Sequence, residues 1–228
     1  MSEPRVLMSW SGGKDSVLAL ATLRAAGATV AGLLTTVGAE DGLVAGHGVP
    51  AGLVEEQACA VGLPLWPMLL PPAADNATYR HALHGVLARA AADAGITDVA
   101  FGDVALEDVR AFREAQVTDA GLSARFPLWG TPPQVLVTQA LAAGTDATVV
   151  RVDRTLLDGS LAGRAYDRAL VADLPAGADP AGEGGELHTF VHRGPGFAWR
   201  VDAPVVGLEE DERFTTALLG VTGGSPRR

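Results

Sequence analysis

Apolar runs rich in β-branched and aliphatic residues alternate with alanine- and leucine-rich helical patterns through residues 1–153. The apolar runs predict strands, and the helical patterns, several of which stop at glycine, predict helices. The predicted strands are 5–10, 29–36, 65–70, 98–102 and 147–152, and the predicted helices are 15–26, 51–61, 76–94, 106–119 and 133–143. Strands separated by helices at this spacing indicate right-handed βαβ units. We therefore expect an α/β fold with a doubly wound parallel sheet covered by helices on both faces.

The pattern changes after Asp153. Proline, glycine, alanine and aspartate dominate 174–185, which predicts an irregular loop. Apolar runs at 187–192 and 197–206 predict two strands joined by a glycine- and proline-containing turn. We thus expect an N-terminal domain over 1–153 and a smaller C-terminal α+β lobe over 154–228, with a frayed tail at 223–228.

Composition narrows the class of protein. The chain has 228 residues, of which 48% are hydrophobic, which is too apolar for disorder. No uncharged apolar stretch approaches the ~20 residues of a membrane span, and the short apolar run at 5–10 does not resemble a signal peptide. The single cysteine, Cys59, excludes a multi-cysteine zinc site and an intrachain disulfide framework, and we expect it to be buried and inert. These features predict a cytoplasmic globular protein.

The net charge of −10 argues against a broad nucleic-acid surface, because phosphate neutralisation needs clustered lysine and arginine. Lys14 is the only lysine in the chain. It lies in the segment that offers the clearest candidate chemistry, a glycine-containing turn between the first predicted strand and the first predicted helix. Such a turn is where an open α/β sheet binds anions.

Glycine backbone, hydroxyls and one charge pair make this turn suited to phosphate. The glycines let backbone N–H groups approach a phosphate, the serines can donate hydrogen bonds, the lysine adds a charge and the aspartate can hold Mg²⁺. The residues concerned are Ser11, Gly12, Gly13, Lys14, Asp15 and Ser16. Asp15 stands where a Walker A loop needs serine or threonine, and the GxGxxG fingerprint is absent. The segment matches the SGGxDS signature of the PP-loop ATP pyrophosphatases; the alternative is an ordinary glycine turn with a serine or aspartate helix cap.

A second cluster follows the fourth predicted strand. Gly102 and Asp103 end that strand in the same crevice as the phosphate loop, and a charged helix follows. Glu107, Arg110 and Glu114 share one face of that helix, with Arg113 beside it. Carboxylates there suit Mg²⁺ or a ribose, and arginines suit a phosphate or a substrate carboxylate. The alternative is a surface ladder of salt bridges.

A third cluster lies at a glycine-rich strand entrance. Glu183, Glu186 and His188 make a compact acid–base group that can hold an ammonium ion or take a proton from an attacking amine. The alternative is a hairpin turn with solvated carboxylates. Among single residues, His47 can border a nucleotide base or be a solvated loop residue, and Trp129 can wall a pocket or belong to the core. His81 and His84 are more typical of a surface pair than of ligands.

These blocks, in this order, resemble the diphthine–ammonia ligase family of PP-loop ATP pyrophosphatases, in the adenine nucleotide alpha hydrolase superfamily. The resemblance covers about 5–197 and rests on the phosphate loop, Gly102-Asp103 with the Arg110–Glu114 helix, Pro127-Leu128-Trp129, and Gly182–Val191 with Gly194-Pro195. In the family a cysteine commonly stands where this chain has Ala181, and the second block lacks the SDYQR-like run of archaeal and eukaryotic ligases. These departures, with many alanines and arginine used in place of lysine, indicate a bacterial branch.

The resemblance implies that ATP drives amide formation. A substrate carboxylate attacks the α-phosphorus and releases pyrophosphate, and ammonia then displaces AMP. It also implies that Asp15 and Asp103 hold Mg²⁺, that Arg110 and Arg113 neutralise charge, and that the cluster from Glu183 to His188 faces the acyl group and the ammonia. Diphthamide is made on elongation factor 2 of archaea and eukaryotes, so a bacterial member is expected to use another carboxylate. A homodimer is expected, and neither a membrane nor a nucleic acid is expected as a partner.

Two other functions stay open at this point. Other PP-loop enzymes modify tRNA, but the acidic balance and the lack of a cysteine pair count against that activity here. A non-catalytic adenine-nucleotide sensor would need only the phosphate loop. The second and third clusters favour chemistry over sensing.

Overall fold

The computed structural model describes residues 3–221. Its strands are β1 Arg5–Ser9, β2 Thr29–Gly38, β3 Leu65–Leu70, β4 Asp98–Ala100, β5 Ser123–Arg125, β6 Asp146–Asp153, β7 Leu187–Arg193, β8 Val205–Glu210 and β9 Phe214–Leu219. Its helices are α1 Lys14–Ala25, α2 Ala51–Val61, α3 Asn76–Ala94, α4 Glu107–Asp119, α5 Pro133–Ala142 and α6 Arg168–Asp173, with a 3₁₀ turn at Gly159–Leu161. No helix within residues 3–221 combines the length and the apolar character needed to cross a bilayer. The predicted frayed tail at 223–228 lies outside the described residues.

Five strands form a parallel sheet in the order β3-β2-β1-β4-β5. β1 lies in the centre because its middle residues, Val6, Leu7 and Met8, are apolar and fully buried. The chain leaves β1 toward β2 on one side and later returns to β4 on the other side. The strand order therefore reverses at β1, and a crevice opens beyond its carboxyl end. The predicted α/β class is confirmed.

The remaining four strands form a separate antiparallel sheet in the order β7-β6-β9-β8. Our expectation that 147–152 joins the parallel sheet is wrong, because β6 pairs with β7 and β9 in antiparallel register. A fully buried strand has the same continuous apolar sequence in a parallel and in an antiparallel sheet. The sequence pattern therefore does not show the direction of the neighbouring strands. The smaller lobe at the C-terminus is confirmed, whereas the boundary between 153 and 154 stays a prediction.

The strand predicted at 197–206 is also wrong, since only its last two residues enter β8. The segment before them makes single backbone hydrogen bonds to two separate parts of the chain instead of a strand ladder. Ala198 N–H donates to the Ala60 carbonyl at the end of α2, and Val201 N–H donates to the His192 carbonyl on β7. Cys59, which we expected to be buried, is exposed on α2.

The hydrophobic core explains how the second sheet is held against the first. Val6 and Met8 of β1 face a cluster that continues through α1 and α2 into β6 and β7, including Val149 and Phe190. Leu7 faces the opposite side of the parallel sheet, toward α3. The antiparallel sheet therefore packs on the side of α1 and α2, and β7 lies beside the crevice at the end of β1.

Candidate functional site

A cleft of about 480 Å³ opens at the carboxyl ends of β1, β2 and β4 and is closed on one side by β7. Most of the residues singled out in the sequence line it: Ser11, Lys14, Asp15, Ser16, His47, Gly102, Asp103, Arg113, Glu183 and His188. Gly12 and Gly13 form the loop behind this lining. Arg110 and Glu186 do not line the cleft.

The phosphate loop turns sharply before α1. Gly12 has a φ of +80°, a conformation that side chains disfavour. The Ser16 hydroxyl donates to the Gly13 carbonyl at 2.8 Å, and Gly13 N–H donates to the Ser11 hydroxyl at 3.3 Å. A methyl group on Gly13 would lie 2.9 Å from His47 Nε2 and 3.1 Å from the Thr189 carbonyl oxygen. The loop therefore needs glycine because β7 and the His47 loop approach its backbone closely.

Lys14 and Asp15 form a partly buried ion pair at the start of α1. Lys14 is only 4% exposed, and its Nζ lies 2.7 and 2.9 Å from the two carboxylate oxygens of Asp15. The backbone N–H of Lys14 donates to the Thr189 hydroxyl at 3.0 Å, and its Nζ lies 5.7 Å from the Tyr166 ring centroid. One cation is thus fixed at a helix N-terminus, where the helix dipole also favours an anion.

Gln57 on α2 holds the loop to β7, and the sequence analysis missed it. This side chain is fully buried, and its amide nitrogen donates to the Gly12 carbonyl at 3.0 Å and to the Val191 carbonyl at 2.6 Å. Its amide oxygen accepts from the Trp10 indole N–H at 3.0 Å. A signal was available in the sequence, because Gln57 lies on the apolar stripe of α2 with Leu53 and other buried residues.

The end of β4 approaches the loop from the other side. A methyl group on Gly102 would lie 3.3 Å from the Asp15 carbonyl carbon, so the two backbones nearly touch. Asp103 follows, and its Oδ2 lies 2.7 Å from Arg113 Nε. These two atoms are buried but their orientation is not that of a hydrogen bond. Arg113 also lies over the Phe101 ring, at 4.7 Å from its centroid.

Arg110 lies elsewhere. Its guanidinium is 4.6 Å from the Trp129 ring centroid and 5.0 Å from that of Phe126, and its Nε donates to Glu114 at 2.8 Å. The arrangement is an aromatic stack with a helical ion pair at i, i+4, outside the cleft. Its predicted catalytic role stays a prediction without a contact in the cleft to support it.

Glu183 carries the strongest electrostatic perturbation among the acidic groups of the cleft. It follows Gly182 in a tight turn, where Gly185 N–H donates to the Gly182 carbonyl at 3.1 Å. Burial raises the pKa of Glu183 from 4.5 to about 8, and the negative charges of Asp15, Asp179 and Asp103 add to the effect against the opposing influence of Lys14. At neutral pH this carboxyl is therefore mostly protonated.

His47 and His188 form a pair of uncharged rings on the wall of the cleft. Their ring centroids lie 4.7 Å apart. Burial and the nearby His188 lower the pKa of His47 to about 3, and burial with the charges of Lys14 and Arg151 lowers the pKa of His188 to about 4. Both imidazoles are neutral at pH 7, so each offers one donor and one acceptor to a bound molecule.

The remaining predicted residues lie outside the cleft. Glu186 Oε2 is buried without a hydrogen-bond partner among residues 3–221, close to the Gly184 backbone. His84 Nε2 lies 3.2 Å from the Gln116 carbonyl oxygen and joins α3 to α4, while His81 is exposed. Within the described part of the chain, no three His, Cys, Asp or Glu side chains cluster closely enough to hold a metal ion by themselves.

The chain is similar to a solved structure and matches two family models. A solved structure of a "predicted subunit of tRNA methyltransferase" from Methanocaldococcus jannaschii has 18% sequence identity, and the match covers 82% of this chain and 96% of that one with a TM-score of 0.43. No curated protein matches the sequence. The family model of the diphthamide synthase N-terminal domain matches residues 4–124, and that of the diphthamide synthase C-terminal domain matches residues 133–221. Since the two matches span most of the sequence, the chain belongs to the diphthamide synthase family.

Proposed function

We propose that this protein is a ligase that converts ATP to AMP and pyrophosphate while it joins a carboxylate to ammonia or an amine. The observation that carries the proposal is the convergence of the Lys14–Asp15 loop, Asp103 and the raised-pKa carboxyl of Glu183 on one cleft. A nucleotide sensor would need the first of these groups but not the last. Membership of the family supports the use of ATP.

The residues divide the work by position. The loop backbone and Lys14 bind the β- and γ-phosphates, which leave together as pyrophosphate. A carboxylate oxygen of the substrate forms a bond to the α-phosphorus as the bond to the pyrophosphate oxygen breaks. The amine nitrogen then forms a bond to the acyl carbon, and the bond from that carbon to the AMP oxygen breaks. Catalysis rests on positioning and charge stabilisation.

One proton must leave the attacking nitrogen. Glu183 in its ionised form is the group best matched to take it. With a pKa of about 8 that form is a minor fraction at neutral pH, but the pKa lies close enough to the operating pH for efficient proton transfer. His188 and His47, held neutral, orient the acyl group by hydrogen bonds. We assign Glu186 no direct role, because it does not line the cleft.

The carboxylates present fit Mg²⁺. Burial is the main cause of the raised pKa of Glu183, and the negative charges of Asp15 and Asp103 add to it. A divalent cation would relieve that added repulsion. Mg²⁺ binds proteins through one or two carboxylates together with substrate phosphates and water. Asp15 and Asp103 would hold the ion, which would neutralise phosphate charge. Ammonia as nitrogen donor and a homodimeric state stay predictions.

The experiment is calorimetric titration with a non-hydrolysable ATP analogue and Mg²⁺, with GTP in parallel, followed by a pyrophosphate-release assay with carboxylates and ammonium. Adenine-selective binding and carboxylate-dependent pyrophosphate release are expected. Asp15→Asn should abolish turnover, whereas Asp93→Asn, on an exposed carboxylate of α3, should not. Binding without any pyrophosphate release would favour the sensor, and unchanged turnover in Asp15→Asn would remove its assigned role.

A further inference from the structure

A second cleft, of about 360 Å³, adjoins the first. The two share a wall formed by Thr36, Val44, Ala45, Gly46 and Leu70, so a single molecule can extend from one into the other. The second cleft is mostly apolar, with Leu43, Pro71 and Pro72 among its lining residues. Its cationic group is Arg151, while Glu40 and Asp41 lie at its exposed rim.

Arg151 is linked to the first cleft through the antiparallel sheet. On β6 it is paired with His188 of β7 on one side and Thr216 of β9 on the other. Directly opposed residues present their side chains on the same face of a sheet, with Cβ atoms about 4.5–5.5 Å apart. His188 lines the first cleft and Arg151 lines the second. The cross-strand pair therefore contributes one side chain to each cleft.

The guanidinium of Arg151 is held by neighbouring side chains, but one of its hydrogen-bond donors has no partner among the described residues. Its Cζ lies 4.0 Å from the Phe214 ring centroid, so the guanidinium packs against that ring. Its ion pair with Asp211 is long, at 3.9 Å from Nη2, and the Asp211 side chain is 58% exposed. Its Nε is buried and has no hydrogen-bond partner among residues 3–221. Such a donor costs free energy unless a ligand or water pairs with it.

The loop that contains Gly48 lies close to the guanidinium of Arg151. Gly48 has a φ of +68°, and a methyl group built on it would lie 3.3 Å from Thr216 Cγ2 and 4.0 Å from Nη1 of Arg151. A guanidinium with an unpaired Nε donor, in the lining of a mostly apolar cleft, is suited to binding a carboxylate. The exposed carboxylates of Glu40 and Asp41 disfavour an anion beside them, which favours placing the anionic end of a ligand at Arg151.

We propose that the second cleft binds a second carboxylate of the acyl substrate, with Arg151 as its recognition residue, so that the substrate is a dicarboxylate with an apolar spacer. The proposal rests on the proposed function for the placement of the reacting carboxylate in the first cleft. The second carboxylate lies beyond His188, on the far side of the shared wall from the phosphate loop. Arg151 takes part in binding and specificity, not in the transfer of a proton.

The test uses the full chain saturated with a non-hydrolysable ATP analogue and Mg²⁺. Glutarate, adipate, their monocarboxylate counterparts and inorganic phosphate are titrated by calorimetry into the wild type, Arg151→Met and Arg151→Lys. Arg154→Met is the matched control, because Arg154 is a neighbouring arginine already paired with Glu210 at 2.8 Å. Methionine at position 151 retains apolar contact with Phe214. If Arg151→Met disturbs folding, the wild type is compared with Arg151→Lys instead.

At least one dicarboxylate is expected to bind more tightly than its monocarboxylate counterpart. Arg151→Met should weaken that binding by about tenfold or more, as expected for loss of charge-assisted hydrogen bonds, and Arg151→Lys should weaken it less. Arg154→Met should leave it unchanged. The proposal would be overturned by equal binding of mono- and dicarboxylates or by binding of phosphate alone. It would also be overturned if Arg151→Met had no effect or if no acid bound. Failure of the nucleotide analogue to bind is a separate result and tests the proposed function instead.

Discussion

Gln57 of α2 donates a hydrogen bond of 2.6 Å to the carbonyl of Val191 on β7, across 134 residues of sequence. The same amide nitrogen binds the Gly12 carbonyl, so one buried side chain joins the phosphate loop to the antiparallel sheet. Val191 N–H also donates to the Gly12 carbonyl at 2.9 Å. The cleft therefore lies between two sheets that are fixed to each other at its base.

Gln57→Leu is expected to weaken binding of the ATP analogue by about tenfold and to lower stability by about 1–3 kcal/mol, because buried polar groups of Trp10 and Val191 lose a partner. Calorimetry and urea unfolding measure the two effects. Gln57→Glu retains an acceptor for Trp10 but lacks the donor, and should lose affinity too.

The matched control is Gln116→Leu. Gln116 is also buried, at 5% exposed, but its Oε1 has no hydrogen-bond partner among the described residues, and it lies on α4 outside the cleft. This variant should keep the affinity for the analogue. An equal loss of affinity in both variants would mean that Gln57 acts only through general stability.

Gly13→Ala is expected to abolish nucleotide binding with a small effect on folding. The added methyl group would press on His47 Nε2 at 2.9 Å and on the Thr189 backbone at 3.1 Å, so the loop must shift away from β7. Gly52→Ala is the control, since nothing lies within 4 Å of its Cβ position and it falls in α2. That change should stabilise the protein by about 0.5–1 kcal/mol. Full binding by Gly13→Ala would show that the close approach is not needed.

The phosphate loop could be predicted from the sequence because its glycines, charge pair and flanking elements are contiguous. The family resemblance suggested that Asp103, Glu183 and His188 meet at the phosphate loop. Their convergence could not be derived from the sequence pattern, because it depends on how the antiparallel sheet packs. The direction of β6 was not readable from a buried apolar pattern. Arg151 could not be predicted as a site residue for a related reason. Its proposed role depends on cross-strand pairing with His188, and local sequence periodicity does not specify which residues pair.

Glu183 makes stability depend on pH in a specific window. Its pKa is about 8 in the folded protein against an ordinary value of 4.5, so the protonated form favours the folded state. Its contribution is fully present below pH 4.5 and is lost as the pH rises toward 8. Glu183→Gln should remove this loss, which urea unfolding at a series of pH values will measure. A wild-type profile that coincides with that of Glu183→Gln would show that the carboxyl is ionised in the fold.

His47 and His188 are expected to act in the opposite direction. Their pKa values of about 3 and about 4 lie below the ordinary histidine value of 6.5, so the neutral rings favour the folded state. That stability is present above pH 6.5 and is lost as the pH falls toward 4. In NMR titrations of the folded protein, both ring signals should stay constant near neutral pH and begin to move only in acid. In the urea-unfolded protein, both rings should titrate with a pKa near the ordinary value of 6.5.

Binding of the ATP analogue should then raise the pKa of His188. Lys14 and Arg151 now lower it by their positive charge, and a polyphosphate beside Lys14 would offset that effect. The measurement is the His188 titration with and without the analogue, using Asp15→Asn at the same analogue concentration as a variant expected to bind the Mg²⁺ complex poorly. An upward displacement in the wild type alone would place the phosphates on the Lys14 loop. No displacement at saturating analogue would place them away from His188 and would remove the acyl-orienting role assigned to the two histidines.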